Sequence, residues 1–543
     1  MKKFIPFVLL LLLIACKEEK KEKTEAIQVS EATIANKIER LASDEFMGRM
    51  PFTEGDIKTT TYLEKQFKDL GLEPGNGDSY FQKVPMVEIT GTPSEEMHIG
   101  SPKGDFDIDY YKDYVAVTLK TDSVVSLKNS ELVFAGFGIV APEYGWNDYE
   151  GIDWKGKTAV VLVNDPGFNS GDSTLFKGDE MTYYGRWTYK YEEAARQGAA
   201  GVIIIHETEP ASYGWNVIQS GWRGAQLSLE SDAPVADVQA WISNEAAQKL
   251  MDASPLAGKD YKLMASKKDF KPVPMGITAS LSIKNEIKRD SSNNVVAIIP
   301  GTDLKDEYII YSAHWDHLGI GKPVNGDSIY NGAVDNASGT ASLLAIAEAF
   351  KKSGPTRRSI LFMAVTGEEQ GLLGSGYYAE HPIYPVEKTV ANINMDALSS
   401  PGPMKDLTII GYGQSEMDNY AKEIADGQGR YIIPDPNPGS GGFFRSDHFS
   451  FAKIGIPALY ASGTTEGFDM SKEEVEKLRE DYNQNKYHQP SDEYDPKTTI
   501  LSGVRFDAQL LYEVGLKLAN EDYFPKWNEG SEFKATRDKQ MKQ

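Results

Sequence analysis

Side chains that seek divalent metal ions cluster between residues 307 and 400: His314, Asp335, Glu368, Glu369 and Asp396. They are carboxylates and one imidazole, the ligands that zinc or a similar ion takes in a catalytic centre. Most of them follow a short apolar run rich in β-branched or aromatic residues, as strands buried on both faces are. Because ligands bind at the carboxyl ends of such strands, we predict a metal centre at one edge of a parallel sheet.

The chemistry that this set of residues suits is the hydrolysis of an amide. Two divalent ions about 3.5–4 Å apart supply a nucleophile and charge stabilisation, and a nearby carboxylate moves the proton. Asp335, in a turn of small residues, is placed to bridge two ions. Glu368 and Glu369 are adjacent, so one can bind metal while the other faces the attacking water. His448 and His488 are both candidates for a further ligand.

Residues around these groups are assigned by simpler arguments. Asp316 lies two residues after His314 and is predicted to orient its imidazole. Four other histidines are expected to be surface or capping residues, as single histidines usually are: His98, His206, His317 and His381. No Gly-x-Ser-x-Gly sequence occurs, so a serine hydrolase is not supported.

The elements that must position the metal centre alternate between strand and helix. Besides the apolar runs, we predict strands at 294–300, 408–411 and 456–461 and helices at 338–352, 416–426 and 501–519. This pattern predicts an α/β fold over residues 285–525, with a doubly wound, mostly parallel sheet and helices on both faces. Residues 286–294 are expected to be polar connecting chain, and residues 526–543 a loose polar tail.

The residues before this domain divide into two parts. Residues 30–125 are predicted to be helices and strands that pack on the main domain, beginning with a helix capped by Ser30 and a second one near 56–70. Residues 126–280 then follow a strand, helix, strand pattern that contains the sequence GAAGVI and lacks a cluster of catalytic residue types. We predict an inserted, β-rich α+β domain over this range.

The amino-terminal residues predict a lipid anchor. A positive start is followed by an apolar run, Phe4–Ile14, which is too short to span a bilayer. The sequence that ends at Cys16 resembles a bacterial lipoprotein signal, in which the thiol takes a diacylglycerol. We expect a signal over 1–16, a charged disordered tether over 17–29, and a bacterial envelope protein, anchored at the outer membrane and facing the periplasm or the cell surface. An ordinary secretory signal with an incidental cysteine is the alternative.

Composition excludes one class of partner. The 543 residues include 57 Lys and Arg against 80 Asp and Glu, a formal net charge of -23. Because phosphate binding needs basic patches, nucleic acid is not an expected partner. Most of this charge is typical of a solvated acidic surface, and the oligomeric state stays open.

Six short motifs in order resemble the co-catalytic zinc aminopeptidase family: His-x-Asp at 314–316, Gly-x-x-Asp-Asn-x-Ser-Gly at 332–339, Glu-Glu at 368–369, Asn-Met-Asp at 394–396, Ser-Asp-His at 446–448 and Tyr-His-x-Pro-x-Asp at 487–492. The likeness extends to LASDEFMGR at 41–49 and GLEPGNGDSYFQ at 71–82. The predicted insert resembles the protease-associated domain that secreted peptidases of this family often carry.

The resemblance implies a role for each residue of the centre. One zinc would be held by His314 and Asp396 and the other by Glu369 and His488, with Asp335 bridging the two. Glu368 would be the general base and then the acid, and Tyr487 would polarise the scissile carbonyl. Arg445 and His448 would contact the substrate.

The function implied is an aminopeptidase that removes N-terminal residues from peptides, using a water activated by two zinc ions and the glutamate base. Three alternatives stay open. They are a single-zinc enzyme similar to glutaminyl cyclases, a carboxypeptidase, and a peptide-binding protein without catalysis.

Overall fold

The computed structural model describes residues 27–231 and 233–542. The predicted signal, Cys16 and most of the predicted tether therefore lie outside the described residues. Among the helices of the described ranges, none combines the length and the apolar character that crossing a bilayer requires.

The helices are α1 (Glu31–Leu41), α2 (Glu54–Asp69), α3 (Trp187–Arg196), α4 (Thr208–Ala211), α5 (Trp215–Gly221), α6 (Asn244–Ala253), α7 (Tyr261–Ala265), α8 (Gly339–Ser353), α9 (Leu373–Glu380), α10 (Met417–Gly427), α11 (His448–Lys453), α12 (Lys472–Asn485), α13 (Ser502–Ala519) and α14 (Lys534–Gln540). The strands before the main domain are β1 (Glu73–Pro74), β2 (Phe81–Pro93), β3 (Glu96–Gly100), β4 (Phe106–Asp109), β5 (Tyr114–Val117), β6 (Val124–Phe134), β7 (Val140–Ala141), β8 (Trp146–Asn147), β9 (Thr158–Leu162), β10 (Gly201–Ile205), β11 (Ala225–Leu229) and β12 (Val238–Ile242). The later strands are β13 (Val273–Ile299), β14 (Leu304–His314), β15 (Gly319–Val324), β16 (Asp327–Tyr330), β17 (Arg358–Val365), β18 (Thr389–Asn394), β19 (Asp406–Ile409), β20 (Tyr431–Pro434) and β21 (Ala458–Ser462).

The main sheet carries the metal-seeking residues. Its central strands β17, β14, β18 and β21 are parallel, while β13 beside β17 and β19 beside β21 are antiparallel. Alternate residues of β14 point to opposite faces: Ile309 packs in one core with α1, α8 and α13, and Ile310 packs in another with Tyr378 and Phe451 of α9 and α11. Helices thus cover both faces, which confirms the predicted doubly wound, mostly parallel α/β fold.

Strand β13 is 27 residues long and pairs with β17 of the main sheet and with β6 of the range predicted to be an insert. The expectation of connecting chain at 286–294 is wrong, because these residues pair antiparallel with β2, with Glu286 opposite Thr90 and Asn294 opposite Gln82. Residues 286, 288, 289 and 290 are exposed. The two buried residues, Ser292 and Asn294, are held by hydrogen bonds to Thr366, Gln82 and Gly374 and not by apolar contacts, and this is why the sequence is typical of a linker.

A further group of paired strands lies mostly within residues 126–280, the range predicted to be an insert. Strands β6, β9, β10 and β12 are parallel neighbours, and β13 pairs with β6 at one side. Strands β3, β4 and β5 join the same sheet, through β13 and β12. The boundary predicted at residue 126 therefore falls after three strands that the structure places with the insert, because pairing between distant strands decides their position.

The carboxyl-terminal residues differ from the predicted loose tail. Trp527 and Phe533 are buried, and α14 follows them. Arg537 donates hydrogen bonds to the carbonyls of Val386 and Thr389. Two aromatic anchors in an otherwise polar stretch are enough to fasten this segment to the main domain.

Arg49 fastens the amino-terminal helices to the loops of the metal centre. Its buried guanidinium donates to the carbonyls of Trp315 (2.8 Å), Leu41 (2.7 Å), Asn331 (2.6 Å) and Gly332 (2.9 Å). Burial lowers the pKa of Arg49 to about 10, which leaves the group charged at neutral pH. One side chain therefore joins α1 to the loops that carry two predicted ligands.

We expect the substitution Arg49→Met to lower the free energy of unfolding by about 3–5 kcal/mol, because it leaves four buried carbonyls without their charged donor. Urea unfolding measures this change. Arg40→Met is the matched control, since Arg40 forms an exposed ion pair with Glu45 at 2.5 Å, and its loss should cost less than about 1 kcal/mol. Equal unfolding midpoints for the two variants would contradict the role of Arg49.

Candidate metal centre

Three predicted ligands meet where β14 and β18 end and α8 begins. His314 is the last residue of β14, Asp396 follows β18, and Asp335 lies in the turn before α8. His314 Nε2 lies 3.3 Å from Asp335 Oδ1 and 3.2 Å from Asp396 Oδ1. His314 and Asp335 are buried, and these three residues offer ligand atoms close enough to hold one ion.

A second group of donors faces the other oxygen of Asp335. Asp335 Oδ2 lies 3.2 Å from His488 Nε2, which in turn lies 3.1 Å from Glu369 Oε2. That nitrogen is shielded from solvent, yet neither approach has the direction of a hydrogen bond. Buried polar atoms rarely stay unpaired, and a nitrogen left in this state between two carboxylates is arranged as a metal ligand is. Asp335 thus offers one oxygen to each group, as a bridging ligand must.

His317 joins the second group, although we predict it from the sequence to be a surface or capping residue. That prediction is wrong: His317 is fully buried, and its Nδ1 lies 2.5 Å from Glu369 Oε1. His317, Asp335 and Glu369 also have ligand atoms close enough for one ion. The signal that could have identified it is its position three residues after His314, in the loop that already supplies a ligand.

Glu368 lies beside these groups without belonging to either. Its Oε2 is 4.0 Å from His314 Nε2, and its side chain is 11% exposed. The Asp316 carboxylate accepts the backbone N–H of Glu368 at 3.2 Å and that of Glu369 at 3.4 Å. These contacts fix the loop after β17. The Glu369 side chain then points to the second group of donors, and the Glu368 side chain points to the cleft.

Asp316 acts on His314 in a way the sequence does not indicate. His314 Nδ1 lies 3.2 Å from the main-chain oxygen of Asp316, whereas the Asp316 carboxylate is 3.8 Å away. The carboxylate is occupied by the two N–H groups of the glutamate loop, and so the carbonyl takes the position beside the imidazole. Asp316 therefore positions both a histidine and a pair of glutamates.

The turn that carries Asp335 is held by Asp492. The Asp492 carboxylate accepts the backbone N–H of Val334 at 3.1 Å and that of Asp335 at 3.1 Å. The peptide bond between Asp335 and Asn336 is cis. Asn336 Nδ2 donates to the Met395 carbonyl at 3.0 Å, which joins this turn to the end of β18. The last motif of the series thus supports the bridging residue as well as supplying His488.

The charges at the site favour the binding of a cation. Burial raises the pKa of Glu368 well above its usual range, with Asp396 acting in the same direction against His314. Burial opposes the positive form of His314, yet the carboxylates of Asp396 and Glu368 hold its pKa well above 6.5. Buried charges in proteins are paired or coordinate metals. The carboxylates and imidazoles that converge here fit zinc, and the unpaired Nε2 of His488 supports this.

Two tyrosines line the centre. The ring of Tyr487 stacks on His488 with centroids 3.9 Å apart and is 46% exposed, so it faces the cleft. Tyr460, which we do not predict from the sequence, donates its hydroxyl to the Asp396 carbonyl at 3.3 Å. It lies on β21, and only the parallel pairing of β21 with β18 brings it here.

The predicted substrate contacts differ in exposure. Arg445 is exposed and donates to the Ser440 carbonyl at 2.8 Å. His448 is fully buried, with ring centroids 4.6 Å from Phe443 and 5.0 Å from Tyr460. Burial lowers the pKa of His448 to about 3, so the imidazole is neutral. The structure places His448 behind the wall of the site and outside both ligand groups.

Fold and donor set together define this chain as an α/β protein with a candidate zinc-type metal centre at the carboxyl ends of its parallel strands. Residues 294–503 match the family model of Peptidase family M28. This segment, which contains the metal centre, is similar to that peptidase family.

The chain is also similar to individual known proteins. It is 36% identical to "Aminopeptidase NAALADL1" of Mus musculus over 145 residues, which are 26% of this chain and 18% of that protein. It is 27% identical to "Carboxypeptidase Q" of Xenopus laevis over 272 residues, 50% of this chain and 47% of that protein. The chain thus spans from about a fifth to about half of the length of these relatives. A solved aminopeptidase from Aneurinibacillus sp. strain AM-1 aligns with a TM-score of 0.48 and 20% identity, covering 92% of this chain and 96% of that one.

Proposed function

We propose that this protein is a zinc-dependent aminopeptidase that removes N-terminal residues from peptides. The observation that carries the proposal is the bridging geometry of Asp335, which offers one oxygen to His314 and the other to His488. The two groups of donors share this residue, and Glu368 stands free beside them. Such an arrangement suits the hydrolysis of an amide bond.

The residues of the chain take distinct parts in this reaction. Bound zinc supplies positive charge that polarises a carbonyl oxygen and acidifies water. Glu368 accepts the proton of the attacking water and then delivers it to the amine that leaves. Tyr487, stacked on His488 at the open side of the cleft, donates a hydrogen bond to the developing oxyanion. The Asp316 carboxylate accepts the backbone N–H groups of both glutamates and so fixes their main chain. Glu369 is thereby held toward the ligand group, and Glu368 stays free to act as the base.

A panel of aminoacyl-nitroanilides, with and without a chelator, tests this function. We expect release of nitroaniline that stops on chelation and returns with zinc. Loss of activity on N-acetylated substrates would support an aminopeptidase, because a free amino group is then required. Rapid cleavage of N-acetylated peptides at their carboxyl end would favour a carboxypeptidase, the activity in the name of the Xenopus laevis relative. If neither kind of substrate is hydrolysed, the remaining alternative is a peptide-binding protein without catalysis.

We propose further that two zinc ions bind, with His488 as a ligand and His317 as the partner that orients Glu369. The support is the position of His488 Nε2, which lies 3.2 Å from Asp335 Oδ2 and 3.1 Å from Glu369 Oε2, and the contact from His317 Nδ1 to Glu369 Oε1 at 2.5 Å. We expect His488→Ala to lower the zinc content from two ions to one per chain by elemental analysis. His317→Ala should keep two at saturation but weaken zinc binding by about 10- to 100-fold, as the loss of an orienting partner does.

His98→Ala is the control for both histidine variants, since His98 is exposed and lies in the insert. If His317→Ala loses an ion while His488→Ala does not, the ligand role passes to His317. One zinc per chain in the wild-type protein would favour the cyclase-like alternative.

We also propose that Cys16 carries a lipid that holds the protein at the outer membrane of a bacterial envelope. The support is the sequence alone, with a charged start, a short apolar run and a single cysteine. Expression with labelled palmitate should label the wild type but not Cys16→Ser, and the variant should leave the membrane fraction. Protease treatment of intact cells then separates the cell surface from the periplasm.

A further inference from the structure

The range predicted to be an insert has a crevice of its own, far from the metal centre in sequence. Strands β10 and β12 are adjacent and parallel, and the chain leaves them toward opposite faces of the sheet. After β10, Ala211 of α4 packs in the core on one face, whereas after β12, Leu250 of α6 packs in the core on the other. Ligands of open α/β sheets bind where the connections diverge in this way. A cavity of about 770 Å³ lies here, between residues 206–215 and 243–249, and its size is typical of small-ligand sites.

Hydrogen bonds join the segments around this cavity. The His206 N–H donates to the last carbonyl of β12 at 2.9 Å, and the Ser243 N–H donates to the Asp113 carbonyl at 2.9 Å. Trp215 Nε1 donates to the Lys112 carbonyl at 3.1 Å, and the Trp215 ring lies 5.5 Å from that of His206. The walls of the cavity are therefore tied to one another and to the ends of the strands.

Residues 206–215, which follow β10, form the acceptor wall of the cavity. His206 is 3% exposed, and its Nε2 lies 3.0 Å from the Tyr213 carbonyl. Because a carbonyl only accepts, Nε2 carries the hydrogen and Nδ1 is an acceptor, to which no residue of the described chain donates. Burial lowers the pKa of His206, so the ring is neutral. The carboxylates of Glu207, which pairs with Lys262, and of Glu209 line the same wall.

Residues 243–249, which follow β12, form the donor wall. Ser243 caps α6, a helix of ten residues, and its Oγ accepts the Ala246 N–H at 3.2 Å. The N–H groups of Asn244 and Glu245 have no partner among the residues that the structure describes. Free N–H groups in the first turn of a helix attract a negatively charged ligand.

Two lysines border the donor wall. Lys249 Nζ lies 3.5 Å from the buried Asp113 carboxylate, and Lys112 Nζ lies 3.8 Å from it. Two cations share this one carboxylate, and the exposed carboxylate of Glu245 balances the charge that remains. The free N–H groups of the helix therefore decide which end of a ligand this wall accepts.

We propose that this crevice binds a zwitterionic ligand, a free amino acid or a short peptide, with its ammonium group at His206 and Glu209 and its carboxylate at the first turn of α6 beside Lys249. The ammonium donates to the unused Nδ1, and the carboxylate accepts charge-assisted hydrogen bonds from the donor wall. One small molecule spans both walls, because the two strands that carry them are neighbours. The site needs no peptidase activity, and none of the residues that line it belongs to either group of metal donors.

Hydrogen–deuterium exchange on the zinc-loaded full chain of the Glu368→Gln variant tests this site, because it locates a bound ligand without turnover. Ala or Ala-Ala at millimolar concentration should slow exchange in residues 206–215 and 243–249. The stronger of the two ligands distinguishes an amino acid site from a peptide site. N-acetyl-Ala-Ala and Ala-Ala-amide, which each lack one charge, should need an at least about 10-fold higher concentration for the same protection.

Lys249→Met should raise the concentration needed for half-maximal protection by about 10-fold, because the carboxylate end loses a charged donor. His206→Phe should have a similar effect at the ammonium end. Lys249 is 50% exposed, so its variant folds even if His206→Phe does not. Lys259→Met is the matched control, since Lys259 is exposed, lies in the same insert outside the cavity, and should leave the protection unchanged.

Three results would overturn the site. They are no protection of residues 206–215 and 243–249 by either ligand, equal protection by the free and the blocked peptides, and equal behaviour of Lys249→Met and Lys259→Met. Protection of residues 314–317 and 487–492 reports binding at the metal centre separately. Failure of the crevice therefore leaves the proposed peptidase function standing, and failure of that function leaves the crevice testable.

Discussion

Glu368→Gln is expected to lower kcat by about 10²- to 10⁴-fold, the range that a positioned general base contributes. The amide keeps the size of the side chain but cannot accept the proton of the attacking water. Because Glu368 lies outside both ligand groups, zinc content should stay at the wild-type value. Single-turnover kinetics and elemental analysis of the same sample measure both quantities together.

The control for this variant is Glu380→Gln, at the exposed end of α9. It makes the same chemical change on the same domain and should retain wild-type turnover. A Glu368→Gln enzyme with wild-type kcat would mean that another group moves the proton. A variant that loses zinc would place Glu368 among the ligands and would require a different base.

The parts of the fold that depend on local pattern could be predicted from the sequence. The buried strands of the main sheet are continuous apolar runs, and the helix after Asp335 has a clear apolar stripe, so both are identified by periodicity. The ribbon at 286–294 could not be predicted. Its stability comes from pairing with β2, about 200 residues earlier in the chain, and neither face shows an apolar pattern.

The metal centre shows the same difference between residues marked by a local sequence pattern and residues placed by contacts between distant parts of the chain. The residues in ordered motifs, such as His314 and Asp396, are brought together as the motifs imply. Tyr460 carries no motif, and it reaches its position through tertiary packing alone. His317 shows the limit of judging single residues, because its burial depends on loops that close over it. Arg49, which fixes two of those loops, belongs to a motif but gives no local sign of its role.

Asp335→Asn should remove more metal than any other single change, because Asp335 belongs to both groups of donors. The amide keeps one oxygen and loses the charge, so one group loses a ligand and both lose attraction for a cation. We expect zinc affinity to fall by more than about 100-fold, since even residues that only orient a ligand contribute about 10- to 100-fold. Zinc release to a competing chelator measures this loss without any need for activity.

Two further variants test whether zinc affinity depends on contact with the turn that carries Asp335. Asp492→Asn keeps every ligand but weakens the acceptor of the Val334 and Asp335 N–H groups, so zinc affinity should fall by about 10-fold. Asp495→Asn, three residues away and exposed, should change nothing. The expected loss of zinc affinity decreases from Asp335 to Asp492 to Asp495. Asp335 is itself a donor, Asp492 contacts the turn that carries it, and Asp495 does neither. If Asp335→Asn holds zinc as tightly as Asp495→Asn does, the ion lies elsewhere and the bridging geometry is not a metal site.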